Sequence, residues 1–149
     1  MIYNIMKIII LVTLFTFSSC CSGFSVNENY ATGIQGVFTC NGKPLSNATI
    51  QIYDKNTIGK DTELATGYSD EKGRFGIRAT EKILFGNFEP YYVVIHKCNY
   101  ENQVCKRKFT GDIEEKYIEK GSTKAYDVYN VGTLELSTTR SNEKRDCSV

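Results

Sequence analysis

The sequence predicts an all-β fold, an antiparallel β-sandwich of seven to eight strands stiffened by disulfides. Three observations carry that expectation. First, residues 33–77 alternate strand-like runs (GIQGVFTC, TIQIYDKNT, ATGYSDEKGRFGI) with turn chemistry. Second, the run YYVVI at 91–95 is the most apolar stretch beyond the leader and is rich in β-branched and aromatic residues. Third, an even set of four cysteines, Cys40, Cys98, Cys105 and Cys147, remains once the leader is set aside.

The leader is MIYNIMKIIILVTLFTFSSCCSG. Lys7 precedes an apolar run at 8–17, followed by small residues. Such a run is too short to cross a bilayer, which takes about 20 helical residues. The pattern is that of a secretory signal peptide over 1–22, cut near Ser22. The expected organisation is then one sandwich domain over 23–140 and a polar tail over 141–149, loosely held except at Cys147. Beyond Lys7, basic and acidic residues balance, so no global field attracts nucleic acid. The product is expected to be secreted.

Taking the elements in order, Asn41-Gly42 supplies a hairpin turn after Cys40, and Pro44 stops pairing just before the next strand. Ala48, Ile50 and Ile52 then alternate with polar neighbours, the period of a half-buried strand. Residues 54–61 are polar and punctuated by glycine, hence a loop. Asp70-Glu71-Lys72-Gly73 is a tight turn with glycine in its last place, followed by a strand carrying Phe75 and Ile77 on one face. Residues 81–89 are irregular. Residues 91–95 are expected to form the central strand, and 104–110 its returning partner. Residues 114–119 are ambiguous between a helical turn and a loop. Residues 126–136 close the sandwich, with Val128, Leu134 and Leu136 as core.

Four cysteines permit three pairings. The expected one joins Cys98 to Cys105 across a local loop and Cys40 to Cys147 between the first strand and the tail. A zinc site is disfavoured, because the spacing holds no CxxC pair and the chain has a single histidine, His96. No cofactor or metal is expected.

The ordered set TCNGKPLSNATIQIYDKNT, TGYSDEKGRF, EPYYVVIHKCN, CKRKF and VGTLEL, spanning residues 33–136, resembles the nematode transthyretin-like family. The resemblance implies a transthyretin-like (prealbumin-type) sandwich, an extracellular location and no established catalytic role. Two relatives of that fold suggest rival functions. Vertebrate transthyretin carries a hydrophobic hormone, so a carrier of a small apolar ligand is one alternative. Hydroxyisourate hydrolases are the other. They need two histidines, an arginine and a C-terminal Tyr-Arg-Gly-Ser, whereas this chain has His96 alone and closes on Asp-Cys-Ser-Val. The expectation is therefore a non-enzymatic binding or bridging protein whose extracellular ligand or receptor is unknown. Its oligomeric state is open. Residues 17–20 (FSSC) also fit a bacterial lipobox, but the resemblance favours simple cleavage.

The candidate binding cluster is His96, Lys97, Tyr100, Lys106, Arg107 and Lys108, brought together if the two segments form a hairpin. It suits an anionic partner such as a membrane surface, a sulfated sugar or an acidic protein patch. The competing explanation is that these cations only solvate an edge strand. In a strand of period two, Lys106 and Lys108 share a face that Arg107 opposes. Tyr91, Tyr92, Tyr117, Tyr126 and Tyr129 read as core with hydroxyls at the rim, with Tyr100 as an exposed exception. Asp54, Asp61, Asp70 and Glu71 lack calcium-loop spacing and read as turn residues. Asn47-Ala48-Thr49 is an N-glycosylation acceptor.

Overall fold

The computed structural model describes residues 27–101 and 103–147, so the leader, its expected cleavage point and the lipobox-like stretch lie outside it. Ten strands run through the described residues: β1 (Glu28–Cys40), β2 (Lys43–Pro44), β3 (Thr49–Asp54), β4 (Thr62–Tyr68), β5 (Arg74–Ile83), β6 (Pro90–His96), β7 (Lys106–Asp112), β8 (Glu119–Lys120), β9 (Tyr129–Glu135) and β10 (Lys144–Asp146). The two- and three-residue strands β2, β8 and β10 take the total past the expected seven or eight. A short 3-10 turn at Glu115–Tyr117 resolves the ambiguity over 114–119. Among the described residues no helix is long and apolar enough to cross a membrane.

The strands form two five-stranded sheets. One is organised around β1, whose length lets it pair with β5 and β2 along one edge and with β8 and β9 along the other. The β1–β9 pairing is parallel, Ile34 opposite Tyr129 and Thr39 opposite Glu135, a departure from the all-antiparallel expectation. The other sheet has the order β10-β7-β6-β3-β4, with all pairs antiparallel. YYVVI therefore sits on the middle strand, as its apolar composition predicts.

Alternation along the strands builds the core between the sheets. Ile34 and Phe38 of β1 meet Ile50 and Ile52 of β3, Phe75 of β5, Val94 of β6, Phe109 of β7 and Leu136. Phe38 and Phe75 stack with ring centroids 4.1 Å apart. Burying one such side chain stabilises the fold by about 2 kcal/mol.

Two turns set the registers that matter later. Asn41 and Gly42 both take positive φ, 52° and 74°, the two-residue hairpin turn whose twist matches the strands it joins. At the Asp70–Gly73 turn, Gly73 has φ 73°, and a Cβ there would meet the Phe38 carbonyl oxygen at 2.3 Å, so only glycine fits. Asp70 completes that turn by accepting from the Lys72 and Arg74 backbone N–H groups at 2.9 and 2.8 Å.

The disulfides pair otherwise than expected. Cys40 bonds Cys98 and Cys105 bonds Cys147, with Cα separations of 5.7 and 4.1 Å. The reason lies at the end of β6. After His96 the chain turns, with the Tyr100 N–H bonded to the Lys97 carbonyl at 2.7 Å and Asn99 at φ 59°. That turn takes Cys98 fully out of solvent, toward the end of β1 in the opposite sheet. Cys105 meanwhile continues the β7–β10 ladder by one rung, beyond Lys106 opposite Asp146. The 141–149 segment is thus not a loose tail over its described residues, because 144–146 pair as a strand.

Candidate functional site

The hairpin of β6 and β7 pairs Ile95 with Lys108 and His96 with Arg107. Pleating sends alternate residues to opposite faces. Lys106 therefore stands in solvent and Lys108 is half-buried on the outer face, while Arg107 and Phe109 turn inward. His96 and Arg107 are each 3% exposed. The candidate cluster is therefore split: its histidine and its arginine are interior groups, and Lys97, Lys106 and Lys108 remain for a partner.

Arg107 has a structural role that occupies the whole guanidinium. It donates to the carbonyl oxygens of Cys98 at 3.2 Å, Leu136 at 2.8 Å and Thr138 at 3.2 Å. Its Nη2 lies 2.9 Å from Glu143 Oε2, and its Nε also bonds that carboxylate. Burial pushes the Glu143 carboxyl up, but the Arg107 bonds and the Arg140 backbone N–H outweigh this and hold it below the usual range. His96 lies beside this pair. Burial, and then the Arg107 charge, lower its imidazole to about 4, so it is neutral at pH 7. Its Nδ1 accepts from the Cys98 N–H at 3.3 Å.

The segment held by Arg107 supplies cations that the sequence reading did not assign. In β10, Lys144 stands opposite Lys108, Arg145 opposite Arg107 and Asp146 opposite Lys106. Lys144 therefore shares the outer face with Lys106 and Lys108. Exposed Arg145 reaches over Tyr100, donating to its hydroxyl at 3.4 Å with the guanidinium 5.9 Å from the ring centroid. Tyr100 is half-buried, with the Arg107 and Arg145 guanidinium groups 5.7 and 5.9 Å from its ring centroid, rather than free on its loop. A depression of about 460 Å³ opens along β7 and β10, lined by Lys108, Lys144 and Arg145 together with the carboxylates Glu143 and Asp146. With Asp146 facing Lys106, the positive excess of the outer face falls on Lys108 and Lys144, with exposed Lys97 just past the end of β6, while Arg145 lies on the other side of β10 with Arg107. These lysines can hold anionic oxygens through charge-assisted hydrogen bonds. The sequence signal for β10 was slight, three residues followed by Cys147.

The remaining candidates are spread elsewhere. Tyr92, Tyr117 and Tyr129 pack against the core, whereas Tyr126 is 74% exposed and so departs from the core reading. Tyr91 stacks on Tyr53 on the outer face of the sheet and donates to Asp61 at 2.7 Å. Asp54 is buried and accepts the Glu89 N–H at 2.8 Å. Asn47 is exposed, with φ 57°.

The comparisons with known proteins agree with this architecture. The Transthyretin-like family matches residues 35–114. Transthyretin-like protein 5 of Caenorhabditis elegans is 33% identical over 143 residues, covering 95% of this chain and 99% of the relative. Transthyretin-like protein 33 of the same organism is 28% identical over 134 residues, covering 88% of this chain and 91% of that one. Transthyretin-like protein 16 is 34% identical over 111 residues, covering 74% and 80% respectively. The matched stretch runs from within β1 to just past β7 and takes in strands of both sheets, and with the near full-length relatives it establishes that this chain belongs to the Transthyretin-like family.

Proposed function

We propose that this protein is exported and acts without catalysis, binding an anionic surface across the outer face of β6, β7 and β10. The observation that carries the reading is Lys144 directly opposite Lys108. Like charges facing each other across a ladder destabilise the sheet. Protection of an edge strand accounts for a lysine on β10, but not for a second one on the strand inside it. A negatively charged partner turns that cost into attraction. Export is supported by the leader pattern and by two disulfides, which persist in oxidising compartments.

An apolar cargo inside the sandwich is less well supported. Ile34, Phe38, Ile50, Ile52 and Leu136 fill the space between the sheets, each at most 1% exposed.

The test uses purified, oxidised protein and phosphatidylcholine vesicles with and without an anionic phospholipid. Each lysine near an anionic leaflet is worth about 1 kcal/mol, so Lys108→Glu with Lys144→Glu weakens binding at least about thirtyfold. Selective binding to anionic vesicles that falls with added salt is the expected pattern. Undiminished binding by the double variant would remove this face from consideration.

A further inference from the structure

The sequence holds a single Asn-X-Ser/Thr acceptor, Asn47-Ala48-Thr49. The fold presents it in a defined way. Ser69, itself 4% exposed, accepts the Ala48 N–H at 3.0 Å and donates to the Leu45 carbonyl at 2.7 Å, while the Asn47 N–H bonds the Ser69 carbonyl at 3.0 Å. These bonds pin the segment from both sides. They leave Asn47 in left-handed backbone at φ 57°, a conformation asparagine tolerates better than most residues. The two other asparagines with positive φ, Asn41 and Asn99, bond each other through their side chains at 2.8 Å. The Asn47 amide instead faces solvent.

What surrounds Asn47 gives the modification a consequence. It lines one cleft of about 200 Å³ with Leu45, Ile95, Lys97 and Lys106. The modification acceptor and the β6–β7 end of the basic face thus share a wall, while Lys144 and Arg145 lie on β10, beyond β7. A glycan is bulky and solvated and carries no positive charge to support an anionic partner. We propose that Asn47 carries an N-linked glycan, and that the glycan screens the Lys97–Lys106 end of the basic face while leaving the Lys108–Lys144 end open. The screening part rests on the anion-binding reading above, whereas the modification does not.

The test compares three proteins secreted from insect cells as full chains: the natural sequence, Asn47→Gln, and Thr49→Ser, which keeps the acceptor. Endoglycosidase treatment is expected to lower the mass of the first and third only. Lysine acetylation followed by peptide mass spectrometry is expected to show Lys97 and Lys106 labelled about threefold more slowly in the glycosylated form, with Lys144 unchanged, because only a nearby bulky group excludes the reagent. Vesicles of phosphatidylcholine with an anionic phospholipid are expected to bind Asn47→Gln about threefold more tightly, as Lys97 and Lys106 regain access to the anionic headgroups. No mass change overturns the modification. A mass change with equal labelling of Lys97 and Lys106 in both forms overturns the screening. Slower labelling, with neither form binding vesicles, leaves the glycan in place and instead overturns the anion-binding reading.

Discussion

Arg107 of β7 and Glu143 of the C-terminal segment form an ion pair inside the molecule, with side-chain exposures of 4% and 9%. The same guanidinium holds the carbonyls of Leu136 and Thr138, so one side chain fastens the chain between β9 and β10 to the second sheet. Removing one partner leaves a buried charge uncompensated. Arg107→Met is expected to cost about 3 kcal/mol, and adding Glu143→Leu to recover much of it by replacing the pair with apolar packing. Urea unfolding of the two variants measures both effects. The single variant should also speed amide exchange at 144–146, because β10 loses its anchor.

The neutral state of His96 makes stability depend on pH. Its folded value is about 4, against 6.5 for the free side chain, so the unfolded chain binds the extra proton first. The contribution is complete above pH 6.5 and is lost as the pH falls toward 4. We expect folding to weaken by about 2 kcal/mol over that window. His96→Gln should flatten this part of the curve, which thermal melts at half-unit pH steps would reveal.

Glu135 gives a second, more acidic dependence. A side-chain hydrogen bond from Ser137 and backbone N–H groups of Ser137 and Gly42 hold it at about 2. It also accepts from the Asn41 N–H at 3.0 Å, so it braces the β1–β2 turn from the end of β9. This stability is present above the ordinary carboxylate range and lost as the pH falls through about 2. Glu135→Gln should remove that loss and loosen the turn, seen as faster exchange of the Gly42 amide at neutral pH.

Non-reducing peptide maps should recover Cys40 with Cys98 and Cys105 with Cys147. The bonds span sequence separations of 58 and 42 residues, and each constrains the unfolded chain by about 4 kcal/mol in the entropy model. Cys40→Ser with Cys98→Ser should unfold at lower urea. Cys105→Ser with Cys147→Ser should in addition free β10 and weaken binding to anionic vesicles, because Lys144 is no longer held beside Lys108.

Stability and binding should move in opposite directions at Lys144. Replacing one of two facing lysines with glutamate converts a repulsive cross-strand pair into an attractive one, a gain of about 0.5 kcal/mol. If β10 serves only to protect a sheet edge, Lys144→Glu would be more stable and functionally silent. On the anion-binding reading it is more stable and binds worse. Urea midpoints and vesicle titrations on the same preparation separate the two.

Alternation, turn residues and the number of cysteines are local properties, and they were sufficient to specify the longer strands but not β2, β8, β10 or the end of β5. Ala48, Ile50 and Ile52 are buried as their spacing requires, and Gly73 occupies the turn that no other residue fits. The opposition of Arg107 to Lys106 and Lys108 also followed from the period of a strand. Which groups those faces meet depends on pairings between segments far apart in the chain, and a periodic pattern carries no record of its partner. The contact of 144–146 with β7 converted a polar tail into part of the candidate site, and the turn after His96 sent Cys98 to Cys40 rather than Cys105. Arg107 and His96 went inside because Glu143 and the backbone carbonyls satisfy the arginine there, and because a desolvated imidazole sheds its proton. A cation in a sequence is a surface group only until the fold supplies it with partners.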